Sequence, residues 1–427
     1  MTTAHPQRRD RRSSPTTIPR SRQRSGAGHC GAGITRASLM KTEIKSIGAR
    51  VTSTTNTPED RLPAHDDAPE RTEGQHPPPR PAPSWTGLAV GAVGLIVLLA
   101  GSVVLAIGLG PSVISPADTA RHLWAALTGG TIPASEVTVQ QIVWQVRTPR
   151  VLLAVVVGAG LSLVGVAIQA MVRNALADPF ILGVSSGASV GAVSVSVFGG
   201  LAVLGVHAVS AGAFLGALGA SALVYLAARS RAGVTPLRLV LTGVALSFGF
   251  QAVMSLLIYL APSGEATSMV LYWTMGSFGA ATWSTLPLVA VAVLVAVVVL
   301  VRNARRLDVL SLGDETAVSL GIDTHRLRVG LFVLTSVVTG AMVAVSGAIG
   351  FVGLVIPHLT RIVVGASHGR VLVIAPLVGA VLMVWADLLA RTLVAPRELP
   401  LGVITALVGV PVLLTLMRRR GYLFGGR

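Results

Sequence analysis

LDVLSLGDETAVSLGIDTHRLR, Leu307 to Arg328, is a polar island between apolar runs long enough to cross a bilayer. It holds Asp308, Asp314, Glu315 and Asp323, four of the ten acids that follow Trp85. Flanked in this way, the island must lie at a membrane face. Asp314 and Glu315 stand where a helix N-terminus favours negative charge, and Thr316 to Leu320 is mostly apolar. Gly321 can supply the left-handed stop. The stretch therefore reads as a short surface helix with an apolar side, an arrangement that invites a partner.

The flanking runs set the fold class. About half of the 427 residues are apolar and only 12% are charged, against roughly 25% in soluble domains. A helical span needs about 20 mostly apolar residues, because the hydrocarbon core is about 30 Å thick. A membrane barrel would instead alternate in polarity, and no segment does. Ten apolar segments follow Trp85, near 86–110, 151–172, 180–201, 205–228, 237–261, 284–301, 329–349, 351–365, 371–393 and 401–417. The chain is thus expected to be an all-α, polytopic membrane protein of about ten spans. The eighth segment is short and carries Pro357, His358 and Arg361, so it is expected to be tilted or partly buried.

The net charge of +16 resolves by position. Residues 1–84 hold 14 basic and 8 acidic residues, and the remainder holds 20 arginines against 10 acids. Those later arginines fall mainly in short connections: Arg173; Arg229 and Arg231; Arg302, Arg305 and Arg306; Arg326 and Arg328; Arg370; and Arg418 to Arg420. Basic residues are retained on the cytoplasmic side, so this pattern orients the chain in the cell membrane with both termini cytoplasmic. It argues against nucleic acid as the partner. Arg121, Arg147, Arg150, Arg391 and Arg397 lie on the opposite face and need another explanation. Residues 1–84, rich in Arg, Pro, Ser and Thr, read as a disordered cytoplasmic tail ahead of a membrane domain at 85–427. The tail lacks the apolar core of a signal peptide, and Met40 offers an alternative start. The single cysteine, Cys30, excludes an intramolecular disulfide and a cysteine metal cluster.

Glycines recur inside the spans at four-residue spacing, Gly183, Gly187 and Gly191, then Gly212 and Gly216. Such ladders let helix backbones approach closely in lipid, and tight packing within the chain is their plain reading.

Chemistry of its own has little to stand on. The sequence has neither an HExxH metal motif nor a GxxxxGK[ST] phosphate loop, and acids are too sparse in the spans for a paired carboxylate site. No catalytic, metal or cofactor-binding residue is assigned. An ion-coupled carrier would keep ionisable groups inside the membrane. The candidates are His207, His358, Arg361 and Asp387, the last expected to pair with Arg391 one helical turn away. That is weak support for a relay, and it leaves an external energy source.

Several segments together resemble the permease family of ATP-binding-cassette importers for iron siderophores, haem and cobalamin. They include VRTPR (Val146 to Arg150), the run Val157 to Ser189, LVLTGVALSFGFQAVMSLLIYL (Leu239 to Leu260) and YWTMGSFG (Tyr272 to Gly279). LSLGDETAVSLGI (Leu310 to Ile322), SGAIGFVGLVIPHLTR (Ser346 to Arg361) and the run Ala386 to Leu414 complete the series. The resemblance implies a ten-span subunit that pairs with a second permease subunit, homologous or identical, above two ATPase subunits that use the ATP. It also implies an extracytoplasmic binding protein that docks outside. The ATPase contact would be Leu312, Gly313, Asp314, Glu315, Ala317, Leu320 and Gly321 in the island, within two short helices, while Arg326 and Arg328 read as the basic border of the next span. The binding-protein contacts would be Arg147, Arg150 and Arg391. The family's hydroxyl-bearing inner gate is not transferred, because Val234, Thr235, Pro236 and Leu237 depart from it. The implied activity is ATP-driven uptake of a ferric siderophore or related chelate, with haem, cobalamin or an ion-coupled carrier as alternatives.

Overall fold

The computed structural model describes residues 84–110, 112–230, 233–261 and 264–418. The readings of a disordered tail and of an alternative start at Met40 lie outside the described residues. Those described belong to one compact unit, Pro79–Arg427. Among them the regular structure is helical, as a hydrocarbon solvent demands, since a helix satisfies its own backbone polar groups.

Helix α1 (Trp85–Gly108) starts at Ser84, whose hydroxyl accepts from the Gly87 amide. Next come α2 (Pro116–Thr128) and α3 (Val137–Gln141), which a π-helical turn, Ile142–Arg147, joins to α4 (Thr148–Val172). The π-turn has a local cause. Pro149 has no amide to donate, and the Thr148 amide reaches back five residues to the Val143 carbonyl, which also accepts from the Thr148 hydroxyl at 2.6 Å. The chain continues through α5 (Val184–Phe198), α6 (Ala208–Ala228), α7 (Pro236–Tyr259), α8 (Gly264–Thr274) and α9 (Leu286–Arg302). Two short helices follow, α10 (Ala304–Ser311) and α11 (Asp314–Ser319), then α12 (Thr324–Ser346), α13 (Val352–Val364), α14 (His368–Thr392) and α15 (Leu401–Arg418).

Each of the ten apolar segments contains a helix. Among the described residues seven helices are long and apolar enough to cross a membrane; α9 with α10, bent by 65°, makes an eighth candidate, and α5 and α13 are shorter. The short α13 buries most of one side, including Pro357 and His358, and exposes Ile362 and Val363. At the centre stands α4, buried along most of its length and packed against α1, α9, α12, α13 and α14.

The glycine ladder is the seam between α5 and α6. A methyl group on Gly191 would overlap the Gly212 carbonyl, and one on Gly216 would overlap the Gly187 carbonyl. These two antiparallel helices therefore approach backbone to backbone, within the chain.

Candidate functional site

The polar island folds as α10 and α11. Asn303 breaks the axis after α9, and Gly313 turns the chain at φ +124° into α11, whose first residues are Asp314 and Glu315. Gly321 takes φ +78° at the far end, and Asp323 caps α12 by accepting from the Arg326 amide. The inner side of this pair is anchored. Leu307, Leu310 and Ala317 are buried, and Asp308 Oδ1 accepts from both the amide and the Nδ1 of His368 at 2.7 Å, which ties α10 to the start of α14. Asp314 accepts from Arg328 Nη2 at 2.8 Å, while Arg328 also donates to the Met171 carbonyl at 3.4 Å and the Val234 carbonyl at 3.3 Å. One buried guanidinium thus joins α4, the start of α7, α11 and α12.

The outer side is apolar and uncovered. Leu312, Val318 and Leu320 are 68%, 59% and 61% exposed, and Glu315 and Gly321 are exposed beside them. Of the island residues expected to meet a partner, Leu312, Glu315, Leu320 and Gly321 face outward, Gly313 is half-buried, and Asp314 and Ala317 hold the pair to the bundle. Val318 joins the outer row. The reading of Arg328 as a basic border is corrected, because only Arg326 is a surface residue, paired with Asp323 at 3.0 Å.

At the other end of the spans, Arg147, Arg150 and Arg391 come together, but inside the protein, at 5%, 8% and 4% exposure. Arg147 closes the C-terminus of α1. It donates to the Ile107 and Gly108 carbonyls at 2.9 and 2.8 Å, and to Ser112 O and Oγ at 2.6 and 2.9 Å, which satisfies carbonyls that a helix end leaves open. Arg150 donates from Nε to Asp387 at 2.9 Å and grips Glu398 in a two-pronged pair at 2.7 and 3.0 Å. Arg391 bonds the Ala106 carbonyl and lies 3.4 Å from Asp387, the expected i,i+4 pair. These are the three arginines expected to receive a docking protein, and in this chain their side chains turn inward. Arg147 and Arg150 are held by the end of α1, Asp387 and Glu398, while Arg391 Nε, 3.4 Å from Asp387, makes no hydrogen bond. Glu398 escaped the sequence reading; the only signal was an acid in the connection after the ninth segment, on the same face as Arg150.

The other ionisable candidates do not assemble. His207 is exposed before α6, His358 is buried within α13, Arg361 bonds Gln169, and Asp387 belongs to the arginine cluster. Among the described residues no group of three or more His, Cys, Asp or Glu side chains is placed to hold a metal ion. The sequence does contain overlapping GxSxG patterns, Gly183 to Gly187 and Gly187 to Gly191, but Ser185 and Ser189 are both buried in α5, far from the strand-to-helix elbow that makes such a serine reactive. In the connection before α5, buried Asp178 accepts from the Phe180 amide at 2.9 Å, and burial pushes its carboxyl up to about 6.

The FecCD transport family pattern matches residues 96–419. The hemin transport system permease protein HmuU of Yersinia pestis is 42% identical over 281 residues, covering 65% of this chain and 84% of that protein. The iron(3+)-hydroxamate import system permease protein FhuB of Bacillus subtilis (strain 168) is 36% identical over 339 residues, 78% of this chain and 85% of its own. A solved metal-chelate type ABC transporter in an inward-facing conformation superposes with a TM-score of 0.66 at 35% identity, covering 76% of this chain and 98% of that one.

Proposed function

The chain belongs to the FecCD transport family, and from that premise we propose that it imports a ferric siderophore or a related iron chelate received from an extracytoplasmic binding protein. It is a transport permease rather than an enzyme, and ATP is hydrolysed in a separate ATPase subunit. The observation that carries the reading is the row of Leu312, Val318 and Leu320 at the C-terminal ends of α10 and α11. Three large aliphatic side chains at the ends of a helix pair that bends 65° away from α9 form an exposed apolar row that a protein partner would cover. The ATPase is that cover, on the cytoplasmic face where the basic connections gather. Its movement passes through Arg328 and the Asp308–His368 bond into α4, α12 and α14.

A second permease subunit completes the path. The exposed surfaces of α1 and α7 differ: α1 shows aliphatic residues, whereas α7, with few buried residues, also exposes Arg238, Gln251 and Ser255. Polar groups of this kind are costly against lipid, so α7 faces the other subunit or the path. On the outer face, Arg147, Arg150 and Arg391 are the docking charges, and exposed Arg397 adds to them, since Arg121 is already paired with Asp118 and Glu136. Haem is the favoured second cargo, given the hemin transport relative.

Reconstitution with the ATPase and binding protein in vesicles tests the reading. Uptake of radiolabelled ferric siderophore should require ATP and persist when ionophores collapse the ion gradients. Uptake driven by a gradient without ATP would assign the chain to an ion-coupled mechanism instead.

A further inference from the structure

A cavity of about 470 Å³ opens between the inner ends of α9 and α12 and the turn that follows α11. Its lower wall is apolar, formed by Val299, Gly330, Leu331 and Leu334, and its mouth carries Arg306 and Arg326. Asp323, also in the wall, is engaged by Arg326, whose Nε lies 3.0 Å from it. Arg306 donates from Nη1 to Asn303 at 3.1 Å. Each guanidinium is thus steadied through one nitrogen, with further N–H groups left for a ligand. Arg302 and Arg305 add positive charge on the adjoining turns, and both are exposed. At about 1.5 Å rise per residue, Leu334 lies about 12 Å deeper along α12 than Arg326. The cavity therefore runs from a cationic mouth down into the depth of the acyl chains.

We propose that this cavity holds one anionic phospholipid, its phosphodiester between Arg306 and Arg326 and an acyl chain over Gly330 against Val299 and Leu334. Charge complementarity selects the headgroup, because two arginines face a single acid in the wall, leaving a net positive charge, and basic pockets between helices on the cytoplasmic side match anionic headgroups. The apolar depth selects a lipid over a soluble phosphate, which would leave the lower wall empty. Asn303 and the Gly321–Asp323 turn, at either end of the α10–α11 pair, both line the cavity. A bound lipid would therefore brace the helix pair proposed to meet the ATPase. Placement in the inner leaflet rests on the orientation in the reading above, but lipid retention is measured on the permease alone, so its failure is separable from failure of the transport reading.

Native mass spectrometry of the full chain in neutral detergent, titrated with phosphatidylglycerol or with phosphatidylcholine of the same chains, tests the site. One phosphatidylglycerol should be retained in preference to phosphatidylcholine. Replacing both arginines, R306A with R326A, should weaken retention by about thirtyfold, or about five- to sixfold for each charge. The pair R229A with R418A removes two exposed arginines outside the cavity and should leave retention unchanged. Gly330→Leu is the sharper variant, because a side chain there meets nothing within 4 Å and fills the lower wall while both arginines stay. It should displace the lipid. Undiminished retention in G330L, equal loss in the control pair, equal binding of the two lipids, or full competition by inorganic phosphate would each overturn the proposal.

Discussion

Arg328 shows how far one side chain reaches. It is buried, donates to two backbone carbonyls and one carboxylate, and joins four elements. Leucine at this position would leave the Met171 and Val234 carbonyls and Asp314 without their donor. Since Asp314 is partly exposed, the cost should fall below that of a fully buried broken pair, at about 2 kcal/mol. Thermal unfolding in detergent should show Arg328→Leu clearly destabilised and Asp314→Asn less so; equal stability of all three would remove the clamp. The sequence placed Arg328 only as one more basic residue at the edge of a span, because its burial depends on three segments far apart along the chain. Asp178 offers a second residue-scale test. Its folded-state value, about 6, lies above the ordinary carboxylate value of 3.8. Its protonated form therefore favours the fold at low pH, and that contribution is lost as pH rises through about 6. Asparagine keeps the oxygen that accepts from Phe180 and removes the charge. Asp178→Asn should gain up to about 3 kcal/mol at pH 8 and little at pH 4, read from the pH dependence of the melting temperature.

At the scale of the element, the helix pair α10–α11 separates anchoring from contact. Asp314 and Ala317 hold it down, while Leu312, Glu315, Val318 and Leu320 face outward. Replacing Asp314 would thus confuse lost folding with lost coupling. Val318→Asp together with Leu320→Asp should leave expression and melting near the parent level and lower ATP-dependent uptake at least tenfold; parent-level uptake would mean that another surface receives the ATPase. Much of this element was legible from local signals. Asp314 and Glu315 marked the helix start and Gly321 the stop, because capping is decided within a few residues. The outward role of Val318 was not legible, since a six-residue helix does not reveal which side its neighbours cover. The α5–α6 seam was legible for another reason: its glycines repeat every four residues, one helical turn.

Across the whole molecule, the ten apolar segments could be read directly because each is a run of hydrophobic residues, whereas the fate of the outer arginines could not. Charge and chain position put Arg147, Arg150 and Arg391 on the outer face, but only the packing of α1 against α4 and α14 turns them inward onto Asp387, Glu398 and the end of α1. The same global view distinguishes lipid from protein as the neighbour of each exposed helix. Only aliphatic side chains are needed against lipid, as on Val93 and Val97 of α1, whereas Gln251 of α7 calls for a polar or protein neighbour. With Cys30, the sole native cysteine, replaced by serine, Gln251→Cys and Val97→Cys each introduce one thiol into an otherwise thiol-free chain. A short bis-maleimide applied to native membranes should join two copies through position 251, giving a band of twice the monomer mass, and leave the position 97 variant monomeric. Cross-linking at 97 but not at 251 would put α1 at the subunit contact and leave α7 to the lipid.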